Sequence, residues 1–281
     1  MPGLLAFHAH PDDETIAMGG TMAKYASAGI PVVVVTATDG ALGEVHNYDD
    51  PGPIKERLAE VRAEEIRAAL DILGVKDQEF LGYRDSGMMG WETNHHPNCF
   101  WQADHQEAAR RLVSLIRKYR PEVMTIYDPH GGYGHPDHIN VHRIGIDAFY
   151  ASDDEMRFPL SKGEEGWRPA KLYMTVRPRT RMAAWAEMRL SEGSIDAETA
   201  ERMRQSGVPD DLVTCLVDVR KYVETKLNAL RAHRTQIPPD WPMLTVPEDR
   251  KDEVLGREAF VRVFGPTGAV ETDLFEGIAS V

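Results

Sequence analysis

The sequence predicts an α/β protein with a Rossmann-like, mostly parallel sheet flanked by helices, and three observations support this prediction. Short apolar runs alternate with helical patterns through residues 1–150. The run "PVVVVTAT" (31–38) contains four consecutive valines, which suits a strand buried on both faces. Dense polar clusters follow two of the predicted strands, where ligands bind in sheets of this kind. We expect one domain, with a Rossmann-like core over 1–150 and an α+β elaboration over 151–281.

The core elements are each supported by local signals. The first helix ends where Gly29 suits the position after a helix terminus. The helix over 54–74 carries apolar residues at near-helical spacing, with charges on its other face. An irregular segment spans 84–101. The predicted strands are 3–7, 31–38, 78–83 and 122–128, and the predicted helices are 16–29, 54–74, 104–119 and 139–150.

The pattern weakens beyond Tyr150, so we interpret the second half as an elaboration of the core. The Pro-rich stretch "IPPDWPMLTVP" (237–247) is expected to be an ordered surface loop rather than a linker. The predicted strands of this half are 171–176 and 212–219, and its predicted helices are 179–191, 196–206 and 220–233.

Composition excludes several classes of partner. Among 281 residues, 45 acidic side chains outnumber 32 basic ones, and the net charge of −13 argues against binding to nucleic acid or anionic lipid. The two cysteines, Cys99 and Cys215, are too few for a disulfide framework and are expected to be reduced, buried thiols. No apolar run approaches the roughly 20 residues of a membrane span, and the opening residues lack a signal-peptide pattern. We therefore expect a cytoplasmic protein with a small-molecule substrate, and composition leaves homo-oligomerisation open.

The first polar cluster lies in "FHAHPDDETIAMGG" (7–20), directly after a predicted strand. His10 and Asp13 are three residues apart on a strand-to-helix turn, so both can reach one point while Asp12 is aimed differently. Pro11 stiffens that turn. Taken alone, such a pattern is more often structural, with an aspartate capping the next helix.

The second cluster, "YDPHGGYGHPDH" (127–138), adds His135 and His138 in a glycine-rich loop. A catalytic zinc usually takes three protein ligands and keeps one position open for water. His10, Asp13 and His138 would make such a set, although the fold must bring the two clusters together. Both clusters follow strands, which favours a metal site over helix capping.

These motifs resemble those of a known family. "AHPDDE" (9–14) together with "GHPDH" (134–138) resembles the two signature motifs of the LmbE-like, or PIG-L, family of zinc-dependent N-deacetylases. "RAEE" (62–65), "RDSGM" (84–88) and "LRAHRTQI" (230–237) further resemble the mycothiol-pathway branch.

The resemblance implies that His10, Asp13 and His138 hold one Zn²⁺ per chain, with Fe²⁺ as an alternative ion, and that Asp12 is the general base. Zinc lowers the pKa of bound water toward about 7 and polarises an amide carbonyl. A carboxylate beside the metal can take the proton of that water and pass it to the leaving amine.

The resemblance also implies roles around the substrate. Tyr133 and His135 assist at the substrate carbonyl, where a tyrosine hydroxyl or a protonated imidazole suits the developing oxyanion. Asp137 is expected to orient a neighbouring imidazole or to tune its pKa. Arg62 and Asp85 are expected to contact hydroxyl groups of a sugar or inositol.

Two further features have open interpretations. The apolar side chains of segment 84–101 are either core filling or a rim that receives part of the substrate. His233, in "LRAHRTQI", is expected to be ordinary helix packing outside the site.

The predicted function is hydrolysis of the amide of an N-acyl amino sugar, in the first instance N-acetyl, which releases a free amine and a carboxylate. A glucosaminyl-inositol conjugate is the expected substrate. A mycothiol S-conjugate amidase and another amino-sugar deacetylase are alternatives with the same catalytic residues. A metal-free binding module on the same fold and a metal phosphoesterase, which usually needs a second metal, are alternatives of other classes.

Overall fold

The computed structural model describes residues 3–266, 268 and 270–278, and its central feature is a seven-stranded sheet. The strands are Leu4–His8 (β1), Val32–Thr38 (β2), Asp77–Tyr83 (β3), Val123–Tyr127 (β4), Lys171–Val176 (β5), Cys215–Asp218 (β6) and Arg257–Phe264 (β7). The helices are Asp13–Ser27 (α1), Gly52–Lys55 (α2), Leu58–Leu73 (α3), His105–Tyr119 (α4), Pro136–Ala151 (α5), Arg179–Ser191 (α6), Ala197–Gln205 (α7), Val223–Ala232 (α8) and Lys251–Val254 (α9).

The sheet is mostly parallel, as the sequence predicts. Its strand order is β3-β2-β1-β4-β5-β7-β6; the strands from β3 to β5 in this order are parallel, and β7 runs antiparallel to both β5 and β6. The C-terminal strands therefore extend the sheet of the N-terminal core. Because β1 pairs with β2 on one side and β4 on the other, it occupies an inner position, and all five of its residues are buried.

Helices cover both faces of the sheet. Leu5 and Phe7 of β1 pack in a core with residues of α4 and α5, whereas Leu4 and Ala6 pack in a second core with residues of α1 and α3. Successive side chains of a strand point to opposite faces, so a strand between two helical layers must be apolar throughout. This explains the continuous valine run of β2.

Several boundaries differ from those predicted. Helix α5 begins at Pro136 rather than at 139, because proline is favoured in the first turn of a helix, and His138 therefore lies on the helix rather than in the loop. Helix α1 begins at Asp13 rather than at 16. Strand β7 was not predicted. Both cysteines are free and buried, as expected, and no described helix is long and apolar enough to cross a membrane.

Helix α1 is broken in its middle, where Met18 has non-helical backbone angles. The carboxylate of Glu258 accepts hydrogen bonds from the amides of Gly20 and its neighbour, at 3.1 and 2.7 Å. Lys226 Nζ donates to the carbonyl of Ile16 and lies 2.6 Å from Glu258 Oε1. A buried ion pair thus satisfies backbone groups that the break frees. The ion pair therefore stabilises the break within α1.

Candidate active site

The two polar clusters meet at the carboxyl edge of the sheet. Strands β1 and β4 are parallel neighbours, with Leu4 opposite Val123 and Ala6 opposite Thr125. Their carboxyl ends therefore lie side by side, and the turn into α1 faces the loop into α5. This is the edge at which doubly wound sheets bind ligands.

Three potential ligand atoms form a nearly equilateral triangle. Asp13 Oδ2 lies 3.3 Å from His10 Nδ1 and 3.2 Å from His138 Nε2, and the two nitrogens are 3.3 Å apart. Two ligands of a tetrahedral zinc with bonds of about 2.0–2.1 Å are about 3.3–3.4 Å apart. The donor set and its spacing therefore fit one divalent ion. Asp12, at the N-cap position of α1, makes no side-chain capping bond, so helix capping does not explain this turn.

Further ionisable side chains lie close to His10, outside the triangle. His10, Asp85, His135 and Asp137 also offer atoms within 4.8 Å of one another. However, Asp85 already accepts two backbone amides, and Asp137 accepts the amide and hydroxyl of Ser86. Asp137 Oδ2 lies 3.2 Å from His10 Nε2, the nitrogen that is not in the triangle. This is the arrangement in which a carboxylate orients a metal-binding histidine, so the triangle is the candidate position for an ion.

The charges of the site favour a cation. Burial would raise the pKa of Asp13, but the imidazoles of His138 and His10 hold it well below its usual range. Burial likewise opposes ionisation of Asp85, yet His10 and hydrogen bonds hold the pKa of that carboxyl below its usual range. Both carboxylates are therefore ionised at neutral pH and surround the two imidazoles with negative charge.

Asp12 is held in a strained conformation beside Arg62. Its backbone angles are φ 129° and ψ −31°, a region that residues with side chains rarely adopt. Arg62 Nη2 lies 3.0 Å from Asp12 Oδ2 and 2.5 Å from the Pro11 carbonyl oxygen, and Nη1 donates to the Gly40 carbonyl at 2.7 Å. Burial raises the pKa of Asp12 to about 6, with the Arg62 charge acting in the opposite direction. The structure thus places the Arg62 guanidinium against the turn that carries Asp12, and its contact with a sugar stays a prediction.

A second buried pair lies behind Asp12 and was not predicted. The Asp12 amide donates to Glu14 Oε2 at 2.9 Å, and Glu14 Oε1 lies 3.0 Å from His233 Nε2. Sequence reasoning placed His233 outside the site, although "LRAHRTQI" was one of the segments that carry the family resemblance. The resemblance of this segment was the sequence signal that could have placed His233 near the site.

His135 is neutral in this environment. Burial lowers its pKa to about 3, and His10 and His138 act in the same direction. Its Nδ1 accepts the Asp137 amide at 3.1 Å at the start of α5, so the proton of the neutral ring lies on Nε2. The imidazole can therefore donate a hydrogen bond without being charged, unlike the protonated form expected from the sequence.

Tyr133 lies at the mouth of the site. Its side chain is half exposed, and its hydroxyl oxygen is 3.4 Å from His138 Nε2. Burial raises the pKa of this phenol above its usual value, so the group keeps its proton at neutral pH. Glycines at 131, 132 and 134 all have positive φ, a conformation that larger residues would resist.

One part of the irregular segment 84–101 fits an apolar rim, and another part fits core filling. Met88, Met89 and Trp91 are exposed, which favours an apolar rim for this part of the segment. Phe100, by contrast, is fully buried and belongs to the core that contains α4 and α5.

Solved structures share the fold across nearly the whole chain. The N,N'-diacetylchitobiose deacetylase from Pyrococcus horikoshii superposes with a TM-score of 0.65 at 23% identity, covering 99% of this chain and 86% of that one. GalB, the 4-carboxy-2-hydroxymuconate hydratase from Pseudomonas putida, gives a TM-score of 0.65 at 21% identity, covering 95% and 98%. At these identities the likeness establishes the fold alone.

Relatives found by sequence have a higher identity to this chain than these solved structures. The chain is 43% identical to a protein of Thermomonospora curvata named 1D-myo-inositol 2-acetamido-2-deoxy-alpha-D-glucopyranoside deacetylase, covering 98% of this chain and 96% of the relative. It is also 43% identical to a protein of the same name from Thermobifida fusca, covering 97% and 98%. The family described as PIG-L, GlcNAc-PI de-N-acetylase, matches residues 5–149. The chain belongs to the PIG-L family of de-N-acetylases.

Proposed function

We propose that this protein is a zinc-dependent N-deacetylase that hydrolyses 1D-myo-inositol 2-acetamido-2-deoxy-α-D-glucopyranoside to the free amine and acetate. The observation that carries the proposal is the triangle of His10, Asp13 and His138 with a largely buried carboxylate, Asp12, beside it. The names of the full-length relatives supply the substrate. They favour this deacetylase over a conjugate amidase.

The three atoms of the triangle would hold the ion, with Zn²⁺ as the proposed metal and Fe²⁺ as the alternative. A bound zinc supplies a water of lowered pKa and polarises the amide carbonyl. Asp137 maintains the orientation of His10 through its contact with Nε2. The amide and hydroxyl of Ser86 fix Asp137 in turn.

Asp12 is the proposed general base. Its Oδ2 faces Arg62, and no described residue donates a hydrogen bond to Oδ1, which is therefore the atom proposed to receive the proton of the attacking water. A base is most effective when its pKa lies near the working pH, and burial brings that of Asp12 to about 6. The same oxygen then delivers the proton to the nitrogen of the departing amine, whose bond to the acyl carbon breaks.

Two neutral donors are proposed to stabilise the negative charge that develops on the carbonyl oxygen. His135 presents Nε2–H, and Tyr133 presents its hydroxyl from the mouth of the site. Neutral donors fixed before the reaction stabilise an oxyanion without needing to reorganise. Arg62 and Asp85 remain the proposed contacts to sugar or inositol hydroxyls, since they adjoin Asp12 and His10 respectively.

The test is a panel assay of amine release by zinc-loaded protein. The panel contains N-acetylglucosamine, its inositol conjugate, diacetylchitobiose and a mycothiol S-conjugate, with His138→Ala and chelator-treated protein as controls. The expected result is preferential hydrolysis of the inositol conjugate, which is lost in both controls. Absence of amine release from every member, with about one equivalent of metal bound, would overturn the proposal. Faster release from the mycothiol conjugate would replace the deacetylase with the amidase.

A further inference from the structure

We propose that Glu14 and His233 form a positioning pair that holds the Asp12 carboxylate in its working orientation. Neither residue is in the catalytic set that the sequence predicts. The inference rests on the proposed function, because it concerns the residue proposed as the general base. It assigns a catalytic contribution to the C-terminal half of the chain, which lies beyond the family match over residues 5–149.

The backbone of Asp12 requires support from its surroundings. Its φ of 129° is unfavourable for any residue with a side chain, and such a conformation persists only where neighbouring contacts determine it. The Asp12 amide donates to Glu14 Oε2 at 2.9 Å, which fixes the direction of this peptide. The strained residue lies between Pro11 and the proposed ligand Asp13, so relaxing it would turn the carboxylate away from its present direction.

Glu14 is itself fixed by a buried partner. Its Oε1 lies 3.0 Å from His233 Nε2 and accepts the Thr15 hydroxyl at 2.5 Å. Glu14, Thr15 and His233 are each 0% exposed, so no substrate can reach them, and Glu14 contacts the proposed catalytic set through the Asp12 amide. With His233 in place, the Glu14 carboxylate cannot rotate away from the Asp12 amide without leaving a buried group unsatisfied.

His233 is held firmly enough to serve as an anchor. It follows directly after α8, and the next segment is tied to α3, since Thr235 donates to Glu65 through its amide at 2.7 Å and its hydroxyl at 2.6 Å. The Thr235 carbonyl also accepts the His46 amide at 2.8 Å. Asp12 is thus held by Glu14 at its backbone and, independently, by Arg62 at its carboxylate.

The test compares two variants of the anchor. His233→Gln keeps a donor that can meet Glu14, whereas His233→Leu keeps side-chain bulk without a donor. A displacement of about 1 Å at a catalytic group can cost roughly 10²-fold in rate, so we expect His233→Leu to lower kcat by about 10- to 100-fold and His233→Gln to restore most of it. KM, zinc content and the absorption spectrum of the Co²⁺-substituted protein should remain as in the wild type. His105→Leu, which removes a surface contact with Asp147, is the matched control and should change none of these.

A double-mutant comparison separates positioning from general destabilisation. In an Asp12→Asn background, His233→Leu should cause no further loss of kcat, because the group it positions is already absent. An equal loss in both backgrounds would overturn the proposal, as would a loss explained entirely by lower zinc content. A kcat within about twofold of wild type in His233→Leu would also overturn it.

A variant that does not fold and a wild type that is inactive are each interpreted separately. If His233→Leu does not fold, Glu14→Gln preserves side-chain size and should show the same selective loss of kcat; a normal kcat there overturns the inference. Absence of amine release from the wild type refutes the proposed function and this inference together, whereas normal turnover in the His233 variants refutes the inference alone.

Discussion

Replacing Arg62 by leucine should move the acid limb of the pH–rate profile to higher pH. Arg62 Nη2 lies 3.0 Å from Asp12 Oδ2, and both side chains are largely buried, so solvent screens their interaction little. Burial raises the pKa of Asp12 and the Arg62 charge lowers it, with a net value of about 6. The proposed base works only when ionised, so activity should fall as the pH drops through its pKa. Removing the cation raises that pKa, and the fall then occurs at higher pH.

The size of the shift follows from the proximity of the charges. An opposite charge this close lowers a carboxyl pKa by about 1–3 units, so the midpoint should rise from near 6 to roughly 7–9. At pH 7 the ionised fraction of Asp12 would fall from about nine-tenths to about half or less. A bound divalent ion acts on the wild type and the variant alike, so the displacement between the two profiles is the predicted quantity.

The assay is kcat/KM for amine release from about pH 5 to pH 9, a range that includes the expected midpoints of both proteins. Arg62→Lys keeps a charge without the planar fork and should shift the limb less. Arg67→Leu is the matched control on the same helix, because Arg67 pairs with Asp71 at the surface, and it should leave the limb in place. Coincident limbs for Arg62→Leu and the wild type would show that this ion pair does not set the pKa of the proposed base.

Three further predictions concern the site. Asp12→Asn should retain metal and lose roughly 10²-fold or more in turnover, while Asp13→Ala should lose the metal by elemental analysis; near-normal turnover in Asp12→Asn would place the base elsewhere. Tyr133→Phe should lower kcat by roughly 10²–10³-fold with KM and metal content unchanged, because it removes one oxyanion donor; a defect caused wholly by metal loss would contradict this role. Asp137→Asn should weaken metal affinity by about 10–100-fold in a chelator competition, and unchanged affinity would show that His10 needs no carboxylate partner.

Local sequence signals predicted the core of the sheet and the two polar motifs that the fold brings together, because both depend on short-range patterns. The valines of β2 suit a strand buried on two faces, and the two motifs stand at the ends of strands that the fold makes neighbours. The start of α5 was predicted three residues too late because the glycine-rich loop was expected to continue past position 136. Pro136 instead begins the helix. Strand β7 was missed, although two partner strands stabilise it in the sheet.

The site features that were not predicted depend on contacts between residues far apart in the chain, and a local sequence pattern cannot predict such contacts. Glu14 and His233 are 219 positions apart, so the pair exists only in the folded chain. The charge state of His135 follows from its burial and from neighbouring imidazoles, neither of which is visible in the motif. The position of Arg62 beside Asp12 likewise depends on the path of the backbone at Gly40, whose carbonyl accepts a hydrogen bond from Arg62.

The inner pairing of β1 with β4 has a consequence for the order of folding events. His10 and His138 are 128 positions apart, and they meet only after β4 has docked beside β1. A nascent chain that has emerged only as far as Tyr83 contains β1, β2 and β3 but lacks His138, the third proposed ligand. Contacts between such distant residues are closed late, because the loop entropy must be overcome first. Metal capture should therefore follow assembly of the sheet, and the rate at which refolding protein acquires Co²⁺ absorbance would report the docking of β4.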